Sequence, residues 1–198
     1  SGAAATGFFA HADNSTPNMA SGEVRGFDAR TGALKWTWDP IPQDRSDPAY
    51  REWRGEMAQK GGGANAWSVL AADPERDLVF VPTGSAAPDY YGGLRLGDNR
   101  YANSIVALKA STGRVVWAFQ TVHHDLWDYD NASPPALVTL TKDGARVPAV
   151  LQANKNGMLY VLNRETGVPI FPVEERAVPP SDIPTEQASR TQPFTTAI

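Results

Sequence analysis

Cysteine is missing from all 198 residues. That absence removes disulfides, thiolate-held metals and cysteine nucleophiles together, and it leaves the redox compartment open. Long apolar runs are missing too. None approaches the roughly 20 residues that cross a bilayer, and no signal peptide is legible. Nor is there a surplus of positive charge: 18 Lys and Arg stand against 22 Asp and Glu, a net charge of −4. The basic residues are scattered, with no stripe to displace counterions from phosphates, which argues against nucleic acid as a partner. With no thiol and only one histidine besides the adjacent His123 and His124, the sequence argues against a zinc site. Turn formers and aromatics, by contrast, are abundant. The 17 Gly, 16 Pro and six Trp point to short strands joined by tight or elaborate loops. A composition 41% apolar and 20% charged is that of a globular chain able to bury a core.

One hairpin recurs three times. Strand-like residues 24–27 lead into Asp28-Ala29-Arg30-Thr31-Gly32 and then into 33–38; residues 104–108 lead into Lys109-Ala110-Ser111-Thr112-Gly113 and then 114–119. The third copy runs 158–162, Asn163-Arg164-Glu165-Thr166-Gly167, then 168–171. In each the glycine can take the positive φ that the turn requires, and a short polar side chain can bond the turn backbone. Further strands are predicted at 66–71, 78–82, 136–140 and 147–152, giving about four strands per unit of roughly 40–50 residues, the spacing of propeller blades. The expected order is the end of a blade (1–38), an insertion loop (39–65) with a short helix near 49–58, and a complete blade (66–120). A loop (121–132), another blade (133–175) and an extended tail (176–198) follow. A second insertion, 84–101, interrupts the complete blade. Closing a propeller takes about 4–8 blades, so the expectation is a portion of a larger ring.

The stretch Thr121-Val122-His123-His124-Asp125-Leu126-Trp127-Asp128-Tyr129-Asp130 sets three carboxylates and two imidazoles among large aromatics directly after a strand. Solvated acidic loops rarely carry Trp and Tyr between their charges. Loops that bring carboxylates beside a flat ligand or a hard cation do.

The repeats, with Asp or Asn, then Thr-Gly, then Trp, resemble the tryptophan-docking motif of the quinoprotein dehydrogenases. These hold pyrroloquinoline quinone (PQQ) at the centre of an eight-bladed β-propeller. Asp28 to Trp36 and Ser111 to Trp117 fit well; the second copy has Lys109 in place of the Asp, and the third ends in Phe171 in place of Trp. The loop 121–130, Asn154-Lys155-Asn156-Gly157 and Thr191-Gln192-Pro193-Phe194 are similar to stretches of the membrane-type glucose dehydrogenases of that family. The resemblance covers nearly the whole chain and corresponds to a middle portion of such an enzyme.

It implies an all-β fold, part of a PQQ-type propeller of about two to three four-stranded antiparallel blades with long insertions. It implies PQQ and a divalent metal, calcium or magnesium, as cofactors, with a lanthanide left open by Asp130, which resembles the extra carboxylate of lanthanide-using relatives. By residue, Asp128 would be the general base, Lys155 would contact the quinone oxygens, and Trp67 would lie flat against the quinone ring. Asp13 and Asn14 would bind the metal together with Asp130. The related alcohol dehydrogenases place an Asn metal ligand after Thr-Gly, where this chain has Ser85. The expected substrate is a sugar or polyol, and the acceptor a quinone or cytochrome. The expected location is the periplasm, with any membrane anchor outside this segment.

The chemistry is coherent. Alcohol oxidation needs a base for the hydroxyl proton, a cation to polarise the electrophile and an ammonium to stabilise developing oxyanion charge. Without the resemblance, Asp128 reads equally as a turn cap, Lys155 as a solvated hairpin tip and Trp67 as a blade core residue. One of His123 and His124 is expected to order the loop by hydrogen bonding, and Asp125 to be architectural. The alternative to an enzyme is a non-catalytic PQQ-repeat propeller acting as a scaffold; such a scaffold needs the hairpins but has no use for the acidic loop and Asn-Lys-Asn-Gly together.

Overall fold

A computed structural model describes residues 3–5, 20–55 and 58–196. Asp13 and Asn14 therefore lie outside the described residues. Twelve strands account for the described secondary structure apart from one 3-10 turn, Pro48–Glu52, capped by the Asp47 carboxylate on the amide of Ala49. The strands form antiparallel sheets. Sheet one orders β1 (Ala3–Ala5), β2 (Val24–Asp28) and β3 (Leu34–Trp38); sheet two orders β4 (Ala71–Asp73), β5 (Leu78–Pro82), β6 (Ser104–Lys109) and β7 (Val115–Gln120). Sheet three places β9 (Ala145–Ala153) between β8 (Ala136–Lys142) and β10 (Leu159–Asn163). A final hairpin pairs β11 (Val173–Ala177) with β12 (Thr191–Thr195).

The period-2 geometry of a strand sends neighbouring side chains to opposite faces, and β5 and β6 use both. Val79, Val81, Val106 and Leu108 join Val24, Trp36 and Trp38 in the core between sheets one and two. Leu78, Phe80, Ile105 and Ala107 face the other way, onto Val150, Tyr160 and Leu162 of sheet three. Sheet two is thus the filling of a three-layer stack, which explains its unbroken apolar runs.

The hairpin turns weld the layers together. The indole of Trp36, on β3, donates to Ala110 O at 2.9 Å and covers Gly113, where an added Cβ would lie 2.6 Å from the ring. Trp117, on β7, repeats this one sheet further on, donating to Arg164 O at 3.1 Å and covering Gly167. The three Thr-Gly glycines have φ of 71, 73 and 72°. The polar residue that opens the turn accepts its amides: Asp28 from Arg30 and Thr31, and Asn163 from Glu165 and Thr166. In the middle copy Lys109 has no acceptor to offer. There Asp77, from the preceding turn, accepts from the Ser111 amide at 2.9 Å and from its hydroxyl at 2.6 Å.

Several sequence expectations differ in detail. Residues 66–70 are not a strand, because Gly62, Gly63 and Ala64 have positive φ and turn the backbone onto the second insertion. There Ala64 N meets Ser85 O, and Asn65 O accepts from Gly84 N. The third hairpin lacks a second strand: Asn163 N bonds Val168 O and Ile170 N bonds Val161 O, both at 2.8 Å, around an isolated Leu162–Pro169 bridge, and the ladder extends no further. The helix expected near 49–58 is the short 3-10 turn. The segment expected as an extended tail contains β12, which is paired with β11.

Candidate active site

The loop after β7 is stretched between anchors on both sides. His123 exchanges two backbone hydrogen bonds with the Gln192 side chain, its N donating to Oε1 at 2.8 Å and its O accepting from Nε2 at 2.7 Å. Its ring nitrogens meet Gln120 Oε1 and Glu175 Oε1. His124 turns the other way, toward Gly97 O at 2.6 Å in the second insertion. It is buried with Nε2 unpartnered; burial first, then the nearby Arg95 charge, push its pKa down to about 4. Both histidines therefore order the loop.

Asp125 is buried and gathers the loop around it. Its carboxylate accepts from Trp127 N at 3.0 Å, Tyr129 N at 2.7 Å, Asn103 Nδ2 at 2.8 Å and the Ser85 hydroxyl. Burial pushes its pKa up, against the hydrogen bonds that favour the charge. Arg95, only 2% exposed, donates to the Asp125 carbonyl at 2.6 Å and also holds Pro88 O and Asn99 Oδ1. Desolvation brings the Arg95 pKa down to about 10.

Beyond Asp125 the chain alternates. Trp127 and Tyr129 stack on one side with ring centroids 5.7 Å apart. They line a cavity of about 660 Å³ closed by Asn156, Met158, Ile183 and Phe194. Asp128 and Asp130 take the other side, where Lys155 Nζ lies 2.8 Å from Asp128 Oδ2 and 2.7 Å from Asp130 Oδ2. The acids do not line the large cavity. Asp128 reaches its place with φ of 59°, a left-handed conformation that Asp tolerates better than most residues. Lys155 is delivered by the turn before β10, whose amide donates to Asp130 O at 3.0 Å.

Asp130 is fixed on every side. Oδ1 accepts from Ser85 N at 2.7 Å, and Oδ2 from the Trp67 indole at 3.1 Å as well as from Lys155. Gly84 is required for this contact, since an added Cβ would fall 2.4 Å from Asp130 Oδ1. The Lys155 ammonium also sits 5.6 Å from the centre of the Trp67 ring, a cation–π distance. Burial would lower the lysine's pKa, but its hydrogen bonds to the two carboxylates win and raise it. Asp128 is pushed up by burial and by the Asp130 charge, against the Lys155 hydrogen bond.

The structure therefore brings together four of the six expected site residues: Asp128, Asp130, Lys155 and Trp67. Trp67 is 43% exposed and so is not a blade core residue. The sequence missed Asn103, Ser85 and Arg95 as supports. It also missed the two-sidedness of Trp-Asp-Tyr-Asp, which lies in a loop where Asp128 is left-handed and no strand period applies.

These residues suit a flat, oxygen-rich ligand: a partly exposed indole beside an ammonium, with a carboxylate on the indole N–H. They also suit a hard cation in part, because the two carboxylates already converge on one positive charge. That charge is the lysine's own, and among the described residues no group of three His, Cys, Asp or Glu converges as a metal site.

A family model described as “PQQ: Glucose/ethanol/alcohol dehydrogenase, beta-propeller domain” matches residues 6–198. The chain is 43% identical over 189 residues to quinoprotein glucose dehydrogenase A of Acinetobacter calcoaceticus, covering 92% of this chain and 23% of that protein. It is 42% identical over 184 residues to quinate/shikimate dehydrogenase (quinone) of Acinetobacter baylyi, covering 92% of this chain and 22% of the relative. Quinohemoprotein alcohol dehydrogenase from Comamonas testosteroni superposes with a TM-score of 0.72 at 30% identity, over 93% of this chain and 28% of that one. The chain thus spans under a quarter of the length of these two curated relatives. With a family model matched along nearly its full length and sheets that stack as successive blades, this chain belongs to the PQQ-dependent glucose/ethanol/alcohol dehydrogenase β-propeller family.

Proposed function

We propose that this chain forms part of a PQQ-dependent dehydrogenase that oxidises a sugar or polyol hydroxyl, with Asp128 as the general base. The observation that carries the proposal is the convergence of Asp128, Asp130 and Lys155 beside the partly exposed Trp67 ring. When bound, PQQ with its cation, calcium or magnesium, supplies the electrophilic quinone that accepts the hydride.

The chain's own residues do the rest. Trp67 offers a stacking surface, and its indole N–H, committed to Asp130, keeps the ring from turning. Lys155 holds a positive charge where quinone oxygens would gather negative charge. Asp128 takes the proton from the substrate hydroxyl. The Lys155 hydrogen bond to Asp128 Oδ2 blunts that basicity, so Asp128 acts as base once the ammonium is drawn toward another anion. Asp130 is the one described residue assigned to the metal, a lanthanide included among the candidates, and Asp13 and Asn14 are proposed to complete its shell.

The relatives' names support a small polyhydroxylated substrate and a quinone acceptor, with a cytochrome as the other candidate acceptor. Periplasmic location and membrane attachment outside this segment belong to the same proposal; among the described residues no helix is long and apolar enough to cross a membrane.

The test is titration of PQQ with calcium, then magnesium, into the full-length protein, followed by dye-linked glucose oxidation. Saturable PQQ binding and turnover that collapses in Asp128→Asn are expected. A full-length protein that binds no PQQ, or an Asp128→Asn variant with unchanged turnover, overturns the assignment in favour of a scaffold propeller.

A further inference from the structure

We propose that Asp125 is the positioning residue of this site: its buried carboxylate holds the amides on either side of Asp128, and so fixes the Asp128 backbone in the left-handed conformation that aims its side chain at Lys155. The inference rests on the assignment of Asp128 as the base.

Geometry carries the argument. Oδ1 of Asp125 takes the Trp127 amide and Oδ2 the Tyr129 amide, so one carboxylate brackets residue 128. Ser85 Oγ and Asn103 Nδ2 also point at Oδ2. Every partner is a donor, so the group is used as an acceptor only, which is a carboxylate and not a carboxylic acid. Asp125 itself cannot drift, because Arg95 grips its carbonyl from the enclosed side. Asn103 Nδ2 and Asn154 Nδ2 each lie 3.2 Å from Tyr129 O, which closes the frame on the far side of residue 128. Asp128 sits at φ 59° in a loop with no strand pairing of its own. A residue in that region keeps one conformation only when its surroundings over-determine it, and the Asp125 carboxylate does so here. This role differs from general architecture, since the supported atoms are the backbone of one residue.

The test uses the full-length protein and three variants. Asp125→Asn turns an N–H₂ toward donors. It is expected to lower kcat on the order of 10²-fold, the cost of a misplacement near 1 Å, while KM stays within about twofold. Amide exchange in the 126–130 peptide, read by mass spectrometry, should accelerate while exchange in β5 and β6 does not. Ser85→Ala removes one donor and keeps the carboxylate, so a smaller change of the same kind is expected. Val150→Ala, a core change in β9, should lower stability without moving kcat or exchange in the 126–130 peptide.

Unchanged exchange in that peptide in a folded Asp125→Asn variant overturns the proposal. So does a kcat loss in Val150→Ala equal to that of Asp125→Asn. If Asp125→Asn does not fold, Ser85→Ala decides alone, and wild-type exchange in that variant overturns it. If Asp128→Asn keeps full turnover, the function assignment fails; the exchange measurement still decides whether Asp125 holds the backbone of residue 128.

Discussion

Lys155 Nζ lies 2.8 Å from Asp128 Oδ2, so the proposed base is paired with a cation before any ligand arrives. The same ammonium reaches Asp130 at 2.7 Å and cannot leave one carboxylate without rearranging against the other. Three residues separated by up to 27 positions therefore respond as a unit to whatever enters the site.

The first prediction concerns that unit. Lys155 has a folded-state pKa above its ordinary value of 10.5, so the stability from its clamp is fully present below that pH. It is lost as pH rises through the raised folded value. A Lys155→Met variant should therefore lose less Tm than wild type at strongly alkaline pH and should be less stable than wild type near pH 7. Differential scanning calorimetry across pH 7–12 reads both.

His124 sets the acid limit. Its pKa is about 4 in the folded protein against 6.5 as a free side chain, so the unfolded chain binds the proton more tightly. Its contribution to stability is intact above pH 6.5, falls as pH drops toward 4, and levels off below. The full change is roughly 3 kcal/mol. His124→Gln, which can still donate to Gly97 O, should flatten the Tm profile over that window; an unchanged slope would refute the assignment.

Two glycines separate backbone strain from packing. An added methyl at Gly32 meets nothing within 4 Å among the described residues, whereas at Gly113 it strikes the Trp36 ring. Both have positive φ near 70°. Gly32→Ala should cost about 1–2 kcal/mol, the price of a left-handed alanine, and Gly113→Ala clearly more. Urea denaturation of the two variants gives the difference, and equal costs would show that the indole seat is soft.

Trp36→Ala removes the ring itself and its hydrogen bond to Ala110 O. A loss of about 3–5 kcal/mol is expected, as for large buried aromatics. The larger effect should fall on amide exchange at the face between sheets one and two, leaving β9 and β10 protected.

What the sequence made legible followed from locality. The strand–Asx–Thr-Gly–strand hairpins came through because turn chemistry is written in five consecutive residues. Asp128, Asp130 and Lys155 came through because their motifs are contiguous. Arg95 did not, since its meaning lies in the Asp125 carbonyl 30 positions away. Neither did Asn103, whose partner is 22 positions away. The run 66–70 was misread as a strand because it continues a crossing loop, which is tied to the second insertion just before it through Ala64 N and Asn65 O. The third hairpin was read as two full strands because its turn is local, whereas its second arm pairs only around the Leu162–Pro169 bridge.

The indole seats carry a consequence for anyone who would recombine such repeats. Trp36 and Trp117 belong by covalent connection to one sheet and by packing to the next. The borders of the modules along the chain and the borders of the modules in space are therefore offset by half a hairpin. A graft cut in the linkers between sheets would carry away an indole and leave behind the glycine turn that receives it. A graft cut inside the hairpin, ahead of the second strand, would transfer lock and key together.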